Sequence, residues 1–117
     1  MRPKRTDLSE GELDEVFHAL ADGTRRKMLQ MMAAGPCRVG DFKEQFSITA
    51  PAISRHLRVL ERSGLIRRTV TGRNHQISLR PNALLGIDQW LRQYSAFWEG
   101  NLDSLEKYVL KKKNTRK

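Results

Sequence analysis

One cysteine, Cys37, stands in a chain of 117 residues. A single thiol excludes an intrachain disulfide framework. It also cannot supply the paired soft ligands of a thiolate metal site. No run of about 18 apolar residues occurs, so no transmembrane helix is expected. The opening residues, MRPKRTDLSEGELDEVF, are basic but lead into no apolar stretch, which argues against a signal peptide and for a cytoplasmic location. Acids are the scarce charge: 13 Asp and Glu face 22 Lys and Arg, a formal net charge of +9. No nucleophile motif, glycine-rich phosphate loop or paired acid–base spacing is present, so no enzyme and no cofactor are expected.

What is present is a basic chain of one-domain length, able to bury roughly two-thirds of its unfolded surface. Its charge favours an anionic partner, nucleic acid ahead of a membrane surface. A membrane-lying helix would need basic residues along its polar face, whereas those of the last helical segment gather only at its end.

Residues 1–8 are polar and expected to fray; 9–110 form the folded domain; 111–117, KKKNTRK up to its last residue, are a basic tail. Ser9 and Glu12 have the spacing of a capping box, and Leu13, Val16, Phe17, Leu20 and Ala21 then recur at helical spacing. A second helix is predicted from a cap at Thr24, with Met28, Leu29 and Met32 inward and Gly35-Pro36 as its stop. RVGDFKEQFS reads as a short third helix with Val39, Phe42 and Phe46 inward. The fourth helix, 50–63, is capped by Thr49 and tolerates Pro51 in its first turn. Stepping about 100° per residue groups Ala50, Ile53, Leu57 and Leu60 in one arc and centres the opposite arc on Arg55, with Arg58 and Arg62 beside it. Ser54 and His56 fall on the flanks.

After Gly64 the period changes. Ile66, Arg68 and Val70 alternate with Arg67 and Thr69; His75, Ile77 and Leu79 alternate with Gln76 and Ser78. Two strands joined at Gly72 are predicted. From Asn82 to about Leu110 one long helix is expected, with Leu84, Ile87, Leu91, Tyr94, Trp98, Leu102, Leu105 and Val109 three or four apart. The fold class is therefore mainly α with a β-hairpin wing: a winged helix-turn-helix whose helix 50–63 is the DNA-reading element.

Between Ala50 and His75 lie six arginines and one acid, Glu61. Arginine suits bidentate base contacts and phosphate contacts alike. The expected partner is double-stranded DNA. Arg55 near the helix start suits base edges; Arg67, Arg68 and the hairpin-tip Arg73 suit phosphate or the minor groove. The long final segment is more aromatic than a small core requires, which points to self-association. The expected homodimer interface includes Leu91, Tyr94, Trp98, Leu102 and Leu105 of the last helix, giving two reading helices roughly 34 Å apart on a palindrome.

ALADGTRRKMLQMM (19–32), FSITAPAISRHLRVLERSGLIRR (46–68) and GRNHQISL (72–79) resemble the ArsR family of small winged-helix repressors, over about residues 10–110. SAFWEGNLDSLEKYV (95–109) is similar to the last helix of a non-metal-sensing branch. The resemblance implies a homodimer held by its first and last helices, which adds Leu13, Val16 and Phe17 to the interface, and repression by occupying an operator. It implies recognition-helix contacts at Thr49, Ala50, Ser54, Arg55, His56 and Arg58, with the wing at Arg73; Arg62 joins this set from its place on the basic arc. The sequence departs from the metal-sensing members: Arg38 and Val39 stand where a second thiol would be, and no histidine follows His75. His18 with Asp14 and Glu15 is the nearest approach to a ligand cluster, and no metal is expected. A MarR-like or other winged-helix regulator, acting as an activator rather than a repressor, is the alternative reading. The operator and the releasing signal are not written in the sequence.

Overall fold

The computed structural model describes residues 8–115, apart from the side chains of Trp98, Leu102, Asp103 and 112–115. Its elements are α1 (Glu10–Leu20), α2 (Gly23–Ala33), α3 (Val39–Gln45), α4 (Ala50–Arg62), β1 (Ile66–Thr71), β2 (Asn74–Leu79), α5 (Pro81–Arg92) and α6 (Ser95–Thr115).

Local chemistry starts each helix. The Ser9 hydroxyl accepts from the Glu12 N–H at 3.2 Å and the Glu12 carboxylate accepts from the Ser9 N–H at 3.1 Å, a reciprocal cap on α1. Asp22, not Thr24, caps α2: its carboxylate accepts from the Arg25 N–H at 3.0 Å. A carboxylate is the better partner for the positive end of a helix, so the helix starts two residues earlier than a Thr24 cap would allow. Thr49 caps α4 by accepting from the Ala52 N–H at 3.2 Å.

The core is a single cluster beneath the helix-turn-helix. Val16, Met28, Phe42, Ile53, Leu60, Leu65 and Ile77 are fully buried in it. Ile53, Leu57 and Leu60 bury the apolar stripe of α4 as its period demands. Full burial of each such side chain contributes about 1.5–3 kcal/mol. Ala50 does not join them; at the first position of α4 it is exposed.

The hairpin pairs antiparallel, with Arg68 opposite Ile77, Val70 opposite His75 and Thr71 opposite Asn74. Its strands do not follow the expected in–out alternation. In β1 only Ile66 is buried, because the hairpin leaves the core after its base and both faces of its outer half meet solvent. Gly72 turns it with φ 63°, a left-handed conformation that glycine adopts without a Cβ clash. The Arg80 N–H donates to the Leu65 carbonyl at 2.8 Å and closes the base of the hairpin.

The predicted single helix from Asn82 is two helices. At Arg92–Ser95 the side chains compete for the carbonyls of the last turn: Gln93 Nε2 donates to the Trp90 carbonyl at 2.9 Å, and the Ser95 hydroxyl donates to the Arg92 carbonyl at 2.8 Å. The apolar repeat continues across the break, so periodicity alone does not register it. Beyond the break, α6 runs to Thr115 with α5 as its main neighbour. Together with the projecting wing it gives a radius of gyration of 19.2 Å, where a compact chain of about 100 residues has about 13 Å.

Candidate nucleic-acid interface

Helix α4 is held by its apolar side and by one polar network, which leaves the other side free. Ser54, Arg55, Arg58 and Arg62 are exposed, as are Thr49 and Ala50 at the start of the helix. Among the described residues, Arg55, Arg58 and Arg62 have no carboxylate within ion-pair distance. Arg67 and Arg68 are exposed on β1, and Arg68 Nε lies 3.6 Å from the Glu61 carboxylate of α4. Arg73 stands at the hairpin turn. The structure thus brings nine of the ten proposed DNA-contacting residues to the open surface of α4 and the wing.

His56 is the tenth, and it is turned inward. Its Nδ1 is 3.3 Å from Arg25 Nη1 and 3.9 Å from the Asp22 carboxylate. The Arg25 guanidinium donates in addition to the carbonyls of Ala19 at 2.7 Å and His18 at 3.0 Å. Arg25 therefore closes the carboxyl end of α1 and braces the flank of α4 in one side chain. His56 thereby braces α4 from the α2 side. The physical reason is its place on the flank of the helix facing α2, where an imidazole finds a partner only by folding back. The Asp22 carboxyl is held below its ordinary value, first by the Arg25 N–H bond, with partial burial opposing and the His56 and Arg25 side chains assisting. Sequence reading missed Arg25; "GTRRK" shows the basic pair but nothing of its target.

The interface residues divide in the same way. Val16 is wholly buried and Leu13 is 6% exposed, so both belong to the protein's own core. They lie on the α1 face that packs down on α2 and α4. Phe17 is 40% exposed, and Leu91, Tyr94 and Leu105 are exposed too. The side chains of Trp98 and Leu102 lie outside the described residues. Leu85, Phe97, Tyr108, Val109 and Leu110 add further exposed apolar surface. Trp90 joins the two regions, its ring edge-on to Phe17 and to Tyr94 with centroids 5.3 Å apart in each case.

Cys37 is buried where the chain enters α3, and burial followed by the nearby Asp41 charge pushes its thiol up from the ordinary range. Asp14, Glu15 and His18 line a cleft against Val59, Arg62 and Ser63. Among the described residues, no three His, Cys, Asp or Glu side chains converge as a metal-holding group, and no helix is long and apolar enough to cross a membrane.

A buried helical pair presenting an arginine-faced second helix, followed by a basic hairpin, defines the winged helix-turn-helix class. Residues 22–68 match the family model described as bacterial regulatory protein, arsR family. The chain is 35% identical over 74 residues to the HTH-type transcriptional regulator Rv2034 of Mycobacterium tuberculosis (strain ATCC 25618 / H37Rv), covering 63% of this chain and 69% of that one. It is 33% identical over 82 residues to the transcriptional repressor SdpR of Bacillus subtilis (strain 168), covering 70% and 91%. A crystal structure of the ArsR family transcriptional regulator RHA00566 superposes with a TM-score of 0.72 at 30% identity, over 80% of this chain and 96% of that one. The chain belongs to the arsR family of bacterial regulatory proteins. A MarR-like assignment is not favoured.

Proposed function

We propose that the protein is a homodimeric transcriptional repressor that occupies a palindromic operator in double-stranded DNA, within the cytoplasm. The observation that carries the reading is the exposed arginine face of α4, continued by the wing and, among the described residues, paired with a carboxylate only at Arg68. Such a face attracts phosphates by charge and reads bases by bidentate hydrogen bonds. Repression is supported by the relation to SdpR, whose name describes a repressor.

In this reading Thr49, Ala50, Ser54, Arg55 and Arg58 meet the major groove. Arg62, Arg67 and Arg68 meet the flanking backbone, and Arg73 meets the backbone bordering the adjacent minor groove. His56 acts through Arg25 to hold the helix at its angle. The dimer forms along Phe17, Leu91, Tyr94 and Leu105, with Phe97, Tyr108, Val109 and Leu110 extending the surface. Residues 9–110 act as the binding and pairing unit, and the basic residues from 111 onward add nonspecific attraction. No metal, cofactor or catalytic step enters this mechanism.

The test is selection of duplexes from random DNA, followed by titration of the selected and a scrambled duplex. Recovery of a two-fold-symmetric site bound at least 10³-fold more tightly than scrambled DNA is the expected result. Equal affinity for both duplexes would leave only a charge-driven DNA coat. Footprinting of the selected site against a promoter then separates repression, where the two overlap, from activation.

A further inference from the structure

We propose that the cleft between the start of α3 and the wing is a clamp for a DNA phosphodiester, in which Arg38 is a contact beyond those on α4 and the wing. The proposal rests on the DNA-binding reading above. The cleft has a volume of about 390 Å³ and is lined by Arg38, Val39, Arg68, Arg73, Asn74 and His75. Three arginines, a histidine and an asparagine line it, and among the described residues no aspartate or glutamate does.

The fold builds this hollow through backbone hydrogen bonds. The Cys37 N–H donates to the Ile77 carbonyl at 2.8 Å, and the Ile77 N–H donates to the Cys37 carbonyl at 2.7 Å. Residue 37 is thus a one-residue third strand on the free edge of β2. Ile77 in turn pairs with Arg68 of β1. Arg38 follows the bridge directly, so it is fixed beside the wing although some thirty residues separate the two in sequence. The Asp41 carboxylate nearby accepts from the Arg38 backbone N–H at 2.8 Å, which caps α3 and leaves the guanidinium unpaired.

The electrostatics then ask for an anion. Among the described residues, Arg38 and Arg73 have no carboxylate partner, and Arg68 has only Glu61 at 3.6 Å. Like charges around one hollow repel, and a bound anion removes that repulsion. Guanidinium forks and an amide match the two free oxygens of a phosphodiester. The cleft also adjoins the wing-tip Arg73, so a strand held by the wing passes it. A free anion would meet the same groups without the other contacts that a DNA strand brings, so the backbone of DNA is the assigned ligand.

The experiment compares the wild-type chain with Arg38→Ala and Arg38→Lys on selected and scrambled duplexes at three salt concentrations. A parallel series carries a single uncharged methylphosphonate at each backbone position in turn. Arg38→Ala is expected to weaken both duplexes equally, roughly tenfold at low salt, and to lower the salt slope by about one. Arg38→Lys is expected to keep the slope. One methylphosphonate position should weaken the wild type and leave Arg38→Ala unaffected, which a merely structural role for Arg38 would not produce. Unchanged binding by Arg38→Ala while the wild type binds tightly overturns the clamp and leaves the DNA reading standing. A wild type that binds no duplex sinks both. Inorganic phosphate titrated into the DNA-free protein is expected to show no saturation at millimolar concentration. Saturable binding abolished by Arg38→Ala, with DNA affinity unchanged, makes the cleft a small-anion site and overturns the proposal.

Discussion

Arg55 and Arg73 carry the same charge on different supports. Arg55 projects from the first half of a helix whose opposite face is locked in the core, so its reach and angle are set. Arg73 sits at the tip of a hairpin whose outer half packs on nothing. The first is suited to discriminate and the second to hold. Arg55→Ala is expected to cost ~1–3 kcal/mol on the cognate duplex and much less on a scrambled one. Arg73→Ala should weaken both alike and reduce the salt slope by about one. Titration of both duplexes at three salt concentrations separates the roles; equal losses for Arg55→Ala would reassign it to the backbone.

Asp22 gives the second prediction at this scale. Its folded carboxyl titrates below its ordinary value of 3.8, so the folded state binds fewer protons there than the unfolded chain. The associated stability is complete above about pH 4 and is lost as pH falls through the lower folded value. Asp22→Asn keeps a side chain able to cap α2 but has nothing to titrate. Thermal unfolding midpoints measured between pH 6 and 3 should therefore fall less steeply for Asp22→Asn than for the wild type. Parallel curves would show that the Asp22–Arg25–His56 network contributes no acid sensitivity.

Among the elements, α6 is the one that the rest of the molecule does not explain. A helix in water is stabilised chiefly by burying one face, and this one leaves Phe97, Leu105, Tyr108, Val109 and Leu110 at least half exposed. A second copy covering that face accounts for both its length and its apolar side chains. Leu105→Glu is expected to raise the dimer dissociation constant about 10- to 100-fold, since one large apolar contact is worth ~1.5–3 kcal/mol. Its core lies elsewhere, so circular dichroism should be retained. Light scattering at micromolar protein, with and without chelator, gives the mass. A chelator-sensitive dimer, or an unaltered dimer in Leu105→Glu, would count against the apolar pairing.

For the whole molecule the decisive quantity is spacing. In the proposed dimer, two reading helices meet two half-sites about one helical turn apart. Inserting about five base pairs between the half-sites turns one of them to the far side of the duplex and should reduce affinity to the scrambled level. Inserting about ten restores the facing and should recover binding only if the dimer can stretch. Gel-shift titration of the three duplexes reads this out. Indifference to a half-turn insertion would mean that each protomer binds alone.

The reading helix was legible in the sequence because one segment specifies it by itself. Thr49 caps it, Ile53, Leu57 and Leu60 mark its inner side at helical spacing, and the arginines occupy what is left. The hairpin was legible from its change of period and from Gly72. These are local properties, set within a few residues of chain. Tertiary structure decided the matters that depend on distant partners. Val16 and Phe17 are adjacent and both apolar, yet one is buried in the core and the other stays exposed beside Trp90, because α2 and α4 cover only one side of α1. His56 turns inward because Arg25, on another helix, is there to meet it. Arg38 joins the wing because two backbone hydrogen bonds carry Cys37 to Ile77. Periodicity tells which side of an element is apolar; only packing decides how much of that side the chain covers itself and which charges are left facing one another.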